Sequence, residues 1–343
     1  MKALLIEKHL EELKVKDMVL EKPKEGEVLV KIHVCGVCHT DVHAIDGDWQ
    51  VPSILPLIPG HEGVGEIIEL GKNVKNDLKI GDRVGIAWLY SGCGVCEYCS
   101  TGRETHCQKQ KNTGYTVNGC FSTHVIADAD FVVRIPDGLG DAEAAPILCA
   151  GVTTYNGIKN TGIKAGEFIT IIGAGGGLGH LAVQYANALG MRVIGIDIGE
   201  EKLDLIKHLG AEIAVDARNT DTIKKVLGYT KGGSHAVLCL ATALPALKST
   251  MELVRRNGTI VLIGLPRGDM PINIVDMVLK GITLKGSLVG TRQDLKEALD
   301  FAARGKVKPH VSVCNTYEIN NVINQLRRGD VTGRIVLDLE KFI

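Results

Sequence analysis

The chain has 343 residues, 45 % of them hydrophobic, with 39 Lys and Arg against 40 Asp and Glu. That length exceeds a domain of ~100–150 residues about twofold, so two domains and a large core are expected. A net charge of −1 gives no support to nucleic-acid or anionic-membrane partners, and no apolar run approaches the ~18–20 residues of a membrane span. The opening Met-Lys-Ala-Leu-Leu-Ile-Glu-Lys meets charge again after four apolar residues, which is not the pattern of a signal peptide. Ten cysteines in such a chain imply reduced thiols and metal ligation rather than disulfides, and a cytoplasmic protein is expected.

The first thirty-odd residues read as strands. Over 26–35, Val28, Val30, Ile32 and Val34 alternate with Lys31 and His33, a period of two. Cys35 falls at the end of this strand, and Cys38 is expected beyond it in a loop. Short strands at 63–69 and 82–87, broken by Gly and Pro, continue an irregular β-rich domain. The stretch from Cys35 to Trp49 concentrates two thiols, two imidazoles, a hydroxyl and three carboxylates, and Gly60-His61-Glu62-Gly63 follows soon after. Such a density of soft and borderline ligands points to a metal centre, with Cys35 and Cys38 spaced as a chelating pair would be.

Cys93, Cys96, Cys99 and Cys107 have the spacing C-x2-C-x2-C-x7-C on a glycine-rich loop. Four thiolates around a tetrahedral zinc form a closed structural site. Ferredoxin-type runs begin alike but continue x3-C-Pro, whereas here the fourth cysteine comes later and Gln108 follows it. The expected role is to pin a loop with little core of its own.

Near residue 150 the texture changes. A buried strand at 168–172 leads into Gly173-Ala-Gly-Gly-Gly-Leu-Gly179 and then a helix with Leu178, Leu181, Ala182, Tyr185, Ala186 and Leu189 on one stripe. The strand 192–197 ends in Asp197, and the alternation repeats: helix 201–209, strand 212–216, helix 220–228, strand 235–241, helix 244–256, strand 258–264. Strands and helices alternating in this way form a doubly wound parallel sheet. After Gly286 two helices and a last strand at 334–339 are expected.

A strand, a glycine turn and a helix N-terminus together make a dinucleotide pyrophosphate site. Gly173, Gly176, Gly177 and Gly179 line that turn, although G-x-x-G-x-x-G is one residue longer than the usual fingerprint. Asp197 stands where a carboxylate would bond the adenosine ribose hydroxyls and repel a 2′-phosphate, which favours NAD over NADP.

Cys38-His-Thr-Asp, Gly60-His-Glu-Gly, the four-cysteine loop, Cys149-Ala-Gly and the glycine turn occur here in one order. Together they resemble the zinc-dependent medium-chain alcohol dehydrogenases, particularly their yeast and bacterial branch, over essentially the whole chain. The longer glycine turn is similar to that of the yeast-type enzymes. The resemblance implies a β-rich, GroES-like catalytic domain carrying the structural zinc loop (1–150, with 290–343 returning to it) and a Rossmann NAD-binding domain (151–289).

Residue by residue, the resemblance makes Cys38, His61 and Cys149 ligands of a catalytic zinc, with a water or Glu62 completing the coordination. That gives two zinc ions per chain, one catalytic and one structural. Cys2His with one open position is a known catalytic set. Asp41 matches the carboxylate that orients His61, and Thr40 and His43 match the proton relay. His39 and Arg334 match basic positions at the cofactor phosphates, and Lys202 one near the adenosine ribose. Thr153, Leu178 and Val289 match nicotinamide contacts. By this reading Cys35 is a packing residue, as are Cys120, Cys239 and Cys314.

The implied reaction is reversible oxidation of an alcohol to an aldehyde or ketone. Its proton would leave through Thr40, the nicotinamide ribose and His43, an imidazole able to exchange it with water. Trp49, Trp88 and Leu265 match pocket-lining positions, and two large rings would leave a slot for short primary alcohols. Yeast-type relatives imply a homotetramer. The nearest rival readings are a zinc polyol dehydrogenase and a reductase of aldehydes. A non-catalytic NAD-binding protein of the same fold is a rival from another class, and the presence of Cys38, His61 and Thr40 counts against it.

Overall fold

The computed structural model describes residues 1–342. The chain divides into two compact units, one made of Met1–Cys149, Thr291–Ala303 and the chain from Pro309 onward, the other of Ala150–Gly290 with Arg304–Lys308.

The first unit is built on a seven-stranded sheet. Its main path runs Val311–Asn315, Arg334–Asp338, Glu27–Val37, Gly63–Leu70, Arg83–Ile86 and Val133–Arg134, and His124–Asp128 also pairs with Glu27–Val37. The long central strand is buried at Val28, Val30 and Ile32, while Lys31 is exposed. Its register against Gly63–Leu70 shifts at 29/30 and again at 32/34. These bulges break the simple alternation, so the strand runs on to Val37 and Cys35 ends up fully buried. Cys38 lies just beyond the strand and outside any helix or strand, as expected. It is the N-cap of the helix His39–Asp46, and its backbone N–H donates to Asp41 Oδ2 at 2.8 Å.

The second unit is a six-stranded parallel sheet in the order Ile213–Asp216, Arg192–Asp197, Phe168–Ile172, Ser234–Cys239, Val254–Leu262, Thr283–Gly286. Phe168–Ile172 is buried at every position, as a central parallel strand covered on both faces must be. Helices at Gly179–Ala188, Glu200–His208, Thr222–Thr230 and Leu244–Leu253 provide the crossovers.

Several elements depart from expectation. The helix expected to reach 256 stops at Leu253, and Val254 is already extended. The next strand absorbs the difference in a bulge, its pairing jumping from Val254 opposite Ser234 to Thr259 opposite Ala236, with Asn257 at φ 58°. The helix Ile274–Lys280 was not anticipated: Ile274, Val275, Val278 and Leu279 are all exposed, so no buried stripe marks it. Nor was the edge strand Val311–Asn315, which has no fully buried residue. No helix among the described residues is long and apolar enough to cross a membrane.

Candidate active site

Cys38, His61, Glu62 and Cys149 bring one ligand atom each to within 4.8 Å of one another, and all four residues are buried. The first unit supplies the whole group. Cys38 caps a helix, His61 and Glu62 precede the strand Gly63–Leu70, and Cys149 follows the 3-10 turn Ala145–Leu148. The two sulfurs lie 4.0 Å apart although 111 residues separate them in sequence.

Asp41 ties this group together. Its Oδ1 accepts from His61 Nδ1 at 2.8 Å and from the Gly60 N–H at 3.2 Å, while Oδ2 accepts from the Cys38 N–H. Because a carboxylate only accepts, His61 carries its proton on Nδ1 and turns Nε2 inward. Nε2 is buried and has no hydrogen-bond partner among the described residues. An orphaned ring nitrogen facing two thiols is costly in an apolar interior unless a cation binds there. The donor set therefore fits zinc.

The electrostatics agree. The Cys149 thiol, against the cost of burial and with help from His61 and Arg334, holds Cys38 well below the usual thiol range. Cys149 itself is held well above it by Cys38 and by burial. One sulfur thus takes the thiolate role readily, and a bound metal would displace the remaining proton. Burial pushes the Glu62 carboxyl up to about 7, against the Arg334 guanidinium that contacts it. Arg334, expected at the cofactor phosphates, is buried with its guanidinium on Glu62, and its Nε has no partner among the described residues.

Thr40 and His43 follow on the same helix. The Thr40 hydroxyl is 3.8 Å from Cys38 Sγ. The His43 ring stacks on Trp49 at 5.2 Å, and its Nδ1 is 2.8 Å from Asp48 Oδ1. His39, expected at the phosphates, is exposed on that helix. Trp88 meets the His61 ring edge-on at 5.4 Å and Trp49 at 6.0 Å. Tyr115 completes this aromatic wall at 5.1 Å from Trp49, with its hydroxyl donating to the Val51 carbonyl. Sequence reasoning missed Tyr115, for no spacing or motif marks a lone tyrosine in a turn.

Cys93, Cys96, Cys99 and Cys107 form the second group, again with sulfurs within 4.8 Å. The backbone N–H groups of Val95 and Cys96 pull the Cys93 thiol down to about 6, and Cys107 Sγ accepts from the Cys93 N–H at 3.4 Å. Four thiols converging with backbone donors aimed at sulfur also fit a zinc ion.

In the second unit the turn 173–179 starts at Gly173 with φ 83°. A Cβ at Gly179 would stand 2.0 Å from the Gly173 carbonyl oxygen, so both glycines are required by the turn. Gly176, Gly177 and Leu178 lie half-buried along it. Asp197 Oδ2 accepts from the Gly175 N–H at 2.7 Å, and Lys202 Nζ stands 3.9 Å from Oδ1. Thr153 is buried in the helix Ala150–Thr161, and Asn156 of that helix donates to the Val289 carbonyl at 2.7 Å. Leu265, expected in the substrate pocket, is exposed beyond the strand Val254–Leu262.

A family model for the alcohol dehydrogenase GroES-like domain matches residues 24–137, and one for the zinc-binding dehydrogenase domain matches 177–304. An alcohol dehydrogenase of Geobacillus stearothermophilus is 51 % identical over 341 residues, covering 99 % of this chain and 100 % of the relative. The alcohol dehydrogenase of the archaeon Aeropyrum pernix superposes with a TM-score of 0.90 at 32 % identity, over 98 % of this chain and all of that one. The CAD of Helicobacter pylori in complex with NADP(H) superposes at 0.89 with 28 % identity, over 100 % of this chain and 99 % of that one.

Proposed function

The chain belongs to the zinc-dependent medium-chain alcohol dehydrogenases, and from that premise we propose that it oxidises short primary, and some secondary, alcohols reversibly to aldehydes or ketones, with NAD as its nicotinamide cofactor. The buried Nε2 of His61, without a hydrogen-bond partner among the described residues and grouped with the thiols of Cys38 and Cys149, carries this reading. Cys38, His61 and Cys149 are the proposed ligands of a catalytic zinc, with Glu62 at hand as a further donor. Cys93, Cys96, Cys99 and Cys107 are the proposed ligands of a structural one. When bound, zinc supplies a Lewis acid for the substrate oxygen and the nicotinamide a two-electron acceptor.

The chain's own residues do the rest. Asp41 fixes the His61 tautomer and raises its basicity as a ligand. Thr40, beside Cys38, would accept the proton of the substrate hydroxyl while giving up its own, and His43, three residues on along the same helix, would pass that proton to water through the ring nitrogen not facing Asp48. Trp49, Trp88 and Tyr115 narrow the apolar wall, which favours short alcohols. Gly173–Gly179 receive the pyrophosphate, and Asp197 the ribose hydroxyls. Arg334, held by Glu62, retains a donor for an anion at Nε. A cytoplasmic homotetramer is the proposed setting, on the strength of the family.

The direct test is to follow NADH formation with a panel of alcohols, with NADP+ as control. Turnover of ethanol and its short homologues with NAD+ supports the reading. A preference for long or branched substrates, or for NADP+, would overturn it.

A further inference from the structure

Asp197 is not the only carboxylate at the end of the sheet where the ribose is expected. In the parallel pairing of Arg192–Asp197 with Ile213–Asp216, Asp197 stands directly opposite Asp216. Two residues on, Arg218 folds back onto Asp216. Its Nε lies 3.0 and 3.2 Å from the two carboxylate oxygens, its second terminal nitrogen donates at 2.6 Å, and its backbone N–H donates to Oδ1 at 2.9 Å. The Asp216 carboxyl is mostly covered while the Arg218 side chain is exposed. Arg218 also feels the charge of Glu200, at the start of the helix that follows Asp197. The guanidinium is thus held at the Asp216 strand end.

A ribose 2′-phosphate carries nearly two negative charges, and arginine is the side chain best shaped to bind it. Here two cations already face carboxylates, Lys202 that of Asp197 and Arg218 that of Asp216. We infer that Asp216 is a second determinant of dinucleotide choice, a positioning residue that acts by holding Arg218 in a neutralised pair beside Asp197 and so denies a 2′-phosphate its cation. Asp197 alone is then an incomplete filter, because its removal frees Lys202 but leaves Arg218 occupied. The inference rests on the NAD reading above.

Calorimetric binding of ADP and of 2′,5′-ADP to the purified protein tests it without reference to turnover. The quantity read is the ratio of the two Kd values. In Asp216→Asn, whose amide oxygen can still accept the Arg218 backbone N–H, the ratio should shift about fivefold toward 2′,5′-ADP, the scale of one exposed charge pair. In Asp197→Asn combined with Asp216→Asn the shift should exceed that of either change alone. Adding Arg218→Ala to Asp216→Asn should return the ratio to near its starting value. An unchanged ratio in Asp216→Asn, in both Asp197 backgrounds, overturns the inference and leaves the NAD reading standing. A shift that survives Arg218→Ala overturns it equally, since it would reflect lost repulsion alone. A parent protein that prefers 2′,5′-ADP would overturn the NAD reading itself, and this inference with it.

Discussion

Asp41 accepts the ring N–H of His61 through one carboxylate oxygen at 2.8 Å and the backbone N–H of Cys38 through the other, also at 2.8 Å. A single side chain thus orients two members of the buried donor set, although they lie 23 positions apart. Replacing it with alanine should weaken zinc binding about 10–100-fold, the usual effect of losing a ligand's supporting carboxylate. Competition with a chromogenic chelator measures this. Asp41→Asn, which keeps an acceptor for Cys38, should fall between the two. Equal zinc affinity in all three proteins would contradict the role.

The Thr40 hydroxyl stands 3.8 Å from Cys38 Sγ, and Thr40 is not one of the proposed zinc ligands. Thr40→Ala should therefore keep its zinc while turnover falls by about 10²–10⁴-fold, the range for losing a positioned proton-transfer group. Metal analysis beside steady-state kinetics separates the two effects. Wild-type turnover would remove Thr40 from the relay.

Away from the metal, His33 and Asp141 form a pH-dependent clamp, with His33 Nδ1 2.8 Å from Asp141 Oδ2 and Arg83 at 3.0 Å from the other oxygen. The hydrogen bond with Asp141 raises the His33 pKa against burial, and the same bond, with Arg83, lowers that of Asp141. The His33 contribution is complete below its unfolded value of ~6.5 and is lost as pH rises through the raised value; that of Asp141 is complete above ~3.9 and is lost as pH falls through the lowered one. The clamp is strongest between the two reference values. The urea midpoint of His33→Gln should fall below wild type at about pH 5.5, and the gap should close near pH 9. A gap of the same size at both would refute the clamp.

The four-cysteine loop has little apolar support, since Cys93, Cys96 and Cys99 are only half-buried and Val95 is exposed. Cys99→Ser should lose one zinc per chain and become sensitive to proteolysis within 93–107, because a metal holds such a loop where a core does not. Undiminished protection in a protein lacking that zinc would show that the loop is held by other means.

The parallel sheet was readable because its strands are continuous apolar runs separated by helices, as at Phe168–Ile172 and Gly179–Ala188, although that helix is buried all round from Gly179 to Ala186 rather than along the expected stripe. The helix Ile274–Lys280 and the edge strand Val311–Asn315 lack those patterns, and periodicity passed over both. The cysteine loop declared itself by local spacing. Cys149 did not: a lone thiol after a small-residue turn reads as packing, and only resemblance to a family singled it out. The contact between Glu62 and Arg334 was hidden for the same reason, since its partners are 272 residues apart and meet only through sheet pairing. Cys35 and Cys38, two thiols three residues apart, misled in the opposite direction. Strand bulges bury Cys35 in the core, while Cys38 begins a helix and faces Cys149.

That separation leads to the most direct test of the metal centre, the zinc content of three proteins measured by elemental analysis together with ethanol oxidation. Wild type and Cys35→Ala should each hold two zinc ions per chain and turn over ethanol. Cys149→Ala should hold one and be inactive. Two zinc ions in Cys149→Ala, or the loss of one in Cys35→Ala, would contradict the assignment of Cys38, His61 and Cys149 as the catalytic set.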